Sequence, residues 1–187
     1  MAEVHFIGQL VGGINFPSSS LFCKWRIVAD ENSDESLHWR MLEGQNNGQT
    51  QVDLADDGYM SIWSHPFDVH YATSSIQGWP KLACEVWSQD FYGRLSLCGY
   101  GCGHLPCSPG THKFDIACWR PAVPSVVEGI RGFFLGQFPQ LQNDDVVWRR
   151  DDRYKLETVA SGTVSVQCSV IIRGMEAHGV DLAQPLP

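Results

Sequence analysis

Hydrophobic and polar positions alternate along most of this chain. Leu21, Cys23, Trp25 and Ile27 share one parity while Lys24 and Arg26 occupy the other. Val164, Val166, Cys168 and Val170 oppose Ser165, Gln167 and Ser169 in the same way. A period of two places every second side chain on one face, so both segments are predicted as half-buried strands. Val4–Leu10, Leu37–Leu42, Gln49–Val52, Met60–Trp63, Phe67–Ala72, Leu82–Trp87, Leu95–Tyr100 and Lys113–Trp119 are further strand candidates. Turn-forming clusters separate most of them: Gly12-Gly13, Asn46-Asn47-Gly48, Asp56-Asp57-Gly58, Gly78, Gly93 and Pro109-Gly110. About eight short strands with such punctuation predict an all-β, antiparallel sandwich, with Leu21, Trp25, Val86, Val164 and Val166 in its core.

Helical spacing occurs once. Val126, Val127, Ile130, Phe133 and Phe134 follow Pro124 at intervals that predict one short helix on the sandwich, weakened by Gly129 and Gly132. The acidic run Asp30–Ser36 reads as an exposed loop, and Arg149–Arg153 as a self-compensating charged turn. The strand pattern stops after Arg173, so the expected domain is 2–173, with a flexible tail at 174–187. A chain of 187 residues buries roughly 70 % of its unfolded surface and needs neither metal nor disulfide to have a core.

The net charge is −8, from 21 acidic and 13 basic side chains, with no run of five Lys/Arg. Nucleic-acid binding depends on neutralising phosphates, so this balance argues against it. Seven cysteines are an odd number, no Asn-x-Ser/Thr sequon occurs, and Glu3 and His5 interrupt the segment after Met1. These features favour a cytosolic, reduced protein whose cysteines fill core space. No apolar run reaches the length of a membrane span.

Gly-x-Ser-x-Gly, His-Glu-x-x-His and phosphate-loop patterns are absent. Ser64, His65, Asp68 and His70 are the residue types of a hydrolase triad, but alternation puts Asp68 and His70 on one exposed face with nothing to hold a nucleophile. Cys98, Cys102, His104 and Cys107 supply four nitrogen and sulfur ligands within ten residues. Their spacing matches no common zinc knuckle, and core or loop cysteines are the expectation. Among the tryptophans, Trp79 and Trp119 sit at strand ends. With Tyr100 they are the candidate partner-binding aromatics, because Trp and Tyr anchor interfaces.

The stretch Gly78-Trp79-Pro80, Val86-Trp87-Ser88-Gln89-Asp90, Gly93-Arg94, Gly99-Tyr100-Gly101 and Pro106-x-x-Pro109-Gly110 resembles the signature of the B9-domain family. So do Ala2-Glu3-Val4-His5 with Gly8-Gln9, Leu21–Trp25, Gly48–Asp53 and Trp63-Ser64-His65-Pro66. The resemblance covers nearly the whole of 2–173 and implies a C2-like sandwich. C2 domains that bind calcium carry three Asp where this chain has Ser88, Asp90 and Ser96. One carboxylate of three is too few for an ion that takes six to eight oxygens, so no cofactor or metal is expected.

The resemblance further implies a non-enzymatic scaffold on the cytoplasmic face of the ciliary transition zone and basal body. The implied partners are B9 domain-containing protein 1, the Meckel syndrome type 1 protein and a tectonic-type membrane complex. The alternative is a calcium-independent, peripheral phospholipid-binding module. The acidic loops Asp30–Glu35 and Asp56-Asp57 weigh against it, since an anionic bilayer would repel them.

Overall fold

The computed structural model describes residues 1–29, 38–55, 60–122, 140–149 and 156–176. The acidic run at 30–36, Asp56 and Asp57, the expected helix at 126–134, the charged turn beyond Arg149 and the tail from 177 lie outside the described residues.

Ten strands are present among the described residues: β1 Ala2–Ile14, β2 Ser20–Val28, β3 Trp39–Gly44, β4 Asn47–Gln49, β5 Asp53–Leu54, β6 Met60–Thr73, β7 Lys81–Gln89, β8 Leu95–His104, β9 Gly110–Pro121 and β10 Thr158–Arg173. Eight are long; β4 and β5 have only 3 and 2 residues. A 3₁₀ turn, Asp144–Val147, is the one helical element among the described residues. All pairings are antiparallel, in the order β3-β6-β1-β10-β9-β8-β7-β2-β4, with β5 beside β2.

This sheet folds back on itself at β8–β9, where only Tyr100↔Trp119 and Gly101↔Cys118 are paired. The β3-β6-β1-β10-β9 layer therefore faces the β8-β7-β2 layer. Gly101 makes the corner feasible: a Cβ there would lie 2.7 Å from Cys118 Sγ and 2.8 Å from Ile116 Cγ2. Val4, Phe6, Leu10, Val69, Leu82, Val86, Val164, Val166 and Cys168 fill the space between the layers. Trp63 crosses it and donates its indole N–H to Leu21 O at 3.1 Å. The five core residues read from alternation all lie in this cluster.

Two strand assignments change. Met60–Trp63 and Phe67–Ala72 are one strand, β6, bent by a bulge opposite the Leu10–Gly12 step of β1. Ser64 sits at the bend with φ 43°, and the extra residue re-aims the strand without ending it. The expected strand Gln49–Val52 keeps only Gln49, in β4, and its other residues form the step between β4 and β5. Buried Thr50 turns inward, where its hydroxyl accepts from Cys23 N at 2.9 Å and donates to Gln51 O at 2.8 Å. Packing also continues past the domain end expected at Arg173, because Met175 is buried in the main core.

A second apolar cluster lies on the outside of the β8-β7-β2 layer. Ala83, Leu97, Tyr100 and Trp119 are covered there by Val147, with Leu141, Trp148, Leu156 and Trp87 around them. The covering segment, residues 140–149, is tied down by Leu141 N–H donating to Tyr100 Oη at 3.3 Å and by Lys81 Nζ donating to Trp148 O at 3.3 Å.

Candidate functional site

The three aromatics singled out as partner anchors belong to the interior. Tyr100 is 2 % exposed and Trp119 is 8 % exposed, both under the 140–149 segment. Neither presents a surface, which corrects the expectation drawn from their positions near strand ends. Trp79 is half-buried and braces the main core. Its rings stand edge-on to Phe6 (6.0 Å) and Trp39 (5.1 Å), and its N–H donates to Leu105 O at 2.9 Å. Strand ends look exposed in a sequence because nothing there records a distant segment folding over them.

The cysteines are distributed in the same way. Cys98 packs between the layers and Cys102 packs on the outer cluster, while Cys107 is exposed. One extra residue in β8, opposite the Val86–Trp87 step of β7, separates the faces of Cys98 and Cys102. No group of three or more His, Cys, Asp or Glu side chains is placed to hold a metal among the described residues. Burial pushes the Cys98 and Cys118 thiols up, and Cys168 up to about 12. Cys84 is raised by its contact with Cys23 first and by burial second. A protonated, buried thiol is neither a nucleophile nor a ready ligand.

The positions compared with a calcium site are all described. Ser88 and Ser96 face each other across β7–β8, and Ser88 Oγ donates to Ser96 O at 3.3 Å. Asp90 organises the turn between the strands. Its Oδ1 accepts from Tyr92 N (2.9 Å) and Arg94 N (2.7 Å), and its Oδ2 accepts from Arg94 Nε (2.6 Å). A little desolvation raises the Asp90 carboxyl, but the Arg94 backbone and guanidinium and the Tyr92 N–H outweigh it and leave the group lowered. Asp53 is likewise engaged, accepting from Ile62 N at 2.8 Å.

The triad residue types do not converge. Asp68 lies on the outer face of the β3-β6-β1 layer and contacts His5 Nε2 at 2.5 Å. His5 stacks on His70 at 5.1 Å, and His70 reaches Glu3 at 3.7 Å. His65 is turned toward Trp25, 6.0 Å away, and desolvation lowers its pKa. Alternation within a single strand does not group His5 with Asp68 and His70. Only the β1–β6 register, which sets His5 opposite His70, brings it in.

Beside a cavity of about 600 Å³ flanked by His5, His65 and Asp68, a groove of about 490 Å³ lies between β2, β4, β7 and the 140–149 segment. Lys24 lies over the Trp87 ring at 5.0 Å and Arg26 over Trp148 at 5.6 Å. Glu85 and Asp144 line the same groove, so its charge is mixed.

The strands and their pairing define a class, an antiparallel β-sandwich. Residues 4–171 match the family described as "Ciliary basal body-associated, B9 protein", whose model is named B9-C2. The chain belongs to that family. It is 45 % identical to B9 domain-containing protein 2 of Danio rerio and 46 % identical to that of Homo sapiens, each over 97 % of this chain and 99 % of the relative. It is 27 % identical to B9 domain-containing protein 1 of Mus musculus, over 91 % of this chain and 82 % of that one. Among solved structures, the C2A domain of plant Extended Synaptotagmin 1 aligns with TM-score 0.49 and 11 % identity over 92 % of this chain and 96 % of that chain. That likeness is too distant to carry a functional comparison.

Proposed function

We propose that this chain is a non-enzymatic scaffold subunit of the ciliary transition zone, set between B9 domain-containing protein 1 and the Meckel syndrome type 1 protein and joined through them to a tectonic-type membrane complex. Its place is the cytoplasmic side of the ciliary base, and membrane contact is made through partners. The observation that carries this reading is end-to-end similarity to proteins named B9 domain-containing protein 2, within a family described by its basal-body association.

The surface supports the reading. Met41 and Leu42 are exposed on β3, the terminal strand of its layer, and Leu54, Ile62 and Ile171 are exposed elsewhere. Unpaired strand edges with apolar side chains favour association, and a scaffold satisfies them with partner surface.

Co-expression with the two proposed partners, followed by size-exclusion chromatography, tests the assignment. A ternary complex is expected, with the isolated chain aggregating or recovered in poor yield. A stable monomer that binds neither partner at micromolar concentration would overturn it.

A further inference from the structure

The β7–β8 hairpin ends in a turn that carries two exposed aromatic side chains, Phe91 and Tyr92. Beyond the Asp90 side-chain bonds, Asp90 N–H donates to Arg94 O and Gly93 N–H to Asp90 O, both at 3.0 Å. Gly93 holds φ at 79°, a left-handed conformation that glycine adopts without strain. The turn is closed by these backbone and Asp90 contacts, and needs no aromatic side chain to form. Yet it carries Phe91, 99 % exposed, and Tyr92, 82 % exposed. The two rings meet edge to face at 5.7 Å, and the Arg94 guanidinium lies 5.7 Å from the Tyr92 ring.

We propose that Phe91, Tyr92 and Arg94 form a preorganised knob that inserts into an apolar socket on a partner protein within the assembly proposed above. This inference rests on the scaffold reading. Aromatic residues and Arg dominate interface hot spots, and a side chain already held in its bound geometry loses little freedom on docking. The hairpin supplies that geometry. Exposed Leu95, beside the turn, and Leu54, on the strand next to β2, extend apolar surface across the same end of the sandwich.

Charge selects a protein over a bilayer. Arg94 is already paired with Asp90, so the knob is close to neutral. Asp53 and Glu157 stand in neighbouring segments of this end, on a chain of net charge −8. Peripheral docking on anionic lipid draws on several unpaired cations near the surface. A neutral, rigid knob instead requires a cavity of matching shape.

The experiment compares the full chain with a Phe91→Ala/Tyr92→Ala variant, each co-expressed with the two proposed partners. Both substituted side chains are exposed, so the variant should melt with the unsubstituted chain. Affinity for one partner is expected to fall about 30-fold or more, the loss of a hot-spot anchor. Tyr92→Phe should retain most of the binding. If the unsubstituted chain assembles and the variant assembles equally well, the knob proposal is wrong while the scaffold reading stands. If the unsubstituted chain binds neither partner, both fall. Calcium-free sedimentation with phosphatidylcholine/phosphatidylserine vesicles is the second arm. Vesicle binding lost in the variant, with partner affinity unchanged, would assign the knob to a membrane and overturn the proposal.

Discussion

The space between the two layers and the outer face of the β8-β7-β2 layer are both packed with apolar side chains, but different means close them. Between the layers, strand meets strand: β10 alternates buried and half-buried residues from Gly162 to Val170, and β1 does the same over Ala2–Phe6. On the outer face, a segment with almost no regular structure lies across the sheet, so Lys81–Cys84 of β7 and Leu97–Gly101 of β8 are buried on both sides. The first kind of core follows from each strand's own periodicity. The second exists only because residues 140–149 return to a face 40 or more positions away. It should therefore be the weaker and separable part of the molecule.

Substitutions can break that distinction. The largest effect is expected for Val166→Asp, which places a carboxylate where exposure is 1 %. The cost is on the order of 5 kcal/mol, comparable with the whole stability of a domain this size. Circular dichroism should show no cooperative native transition, and a soluble variant with an unchanged melting temperature would refute the face assignment. Val147→Asp is chemically similar and equally buried, at 1 %, but lies in the covering segment. About 2–3 kcal/mol should be lost locally, with faster hydrogen exchange at 140–149 and a red-shifted tryptophan emission, while the sandwich stays folded. Global unfolding of this variant would show that the two regions form one cooperative unit.

Tyr100→Phe is milder. It removes the acceptor for Leu141 N–H without changing the ring, at a cost of about 1 kcal/mol in thermal or denaturant unfolding. A neutral result would mean that the covering segment is held by apolar contact alone. The smallest effect concerns pH. Desolvation lowers the folded pKa of His65, so its neutral form is favoured in the native state. Its contribution is present above the ordinary value of 6.5 and is lost as pH falls through the depressed folded value. His65→Gln should slightly flatten the acid limb of a stability–pH curve, and an unchanged limb would remove this group from the account.

The same contrast governs how much could be read in advance. The alternation in β2 and β10 gave strands, faces and core residues correctly, because a strand's period is set by its own backbone. The Gly99-Tyr100-Gly101 motif marked a family resemblance, and the close approach of β8 to β9 is the physical reason for its glycines. Strand joins were harder. The bulge at Ser64 unites two predicted strands, and Thr50 interrupts one with a bond to Cys23, 27 positions away. Exposure of the aromatics was misread in both directions. Tyr100 and Trp119 looked available and are covered, whereas Phe91 and Tyr92, not singled out by any pattern, are the most exposed aromatics among the described residues.

Periodicity, turn chemistry and composition therefore settle the all-β class and the inner faces of the strands. Each is a property of a few consecutive residues or of the sum of them. Which aromatic side chains are buried, which thiols share a face and which carboxylate is already paired were decided by register and by the path of residues 140–149. These depend on chain segments meeting across long sequence separations, and alternation along a single strand carries no record of what packs against its second face.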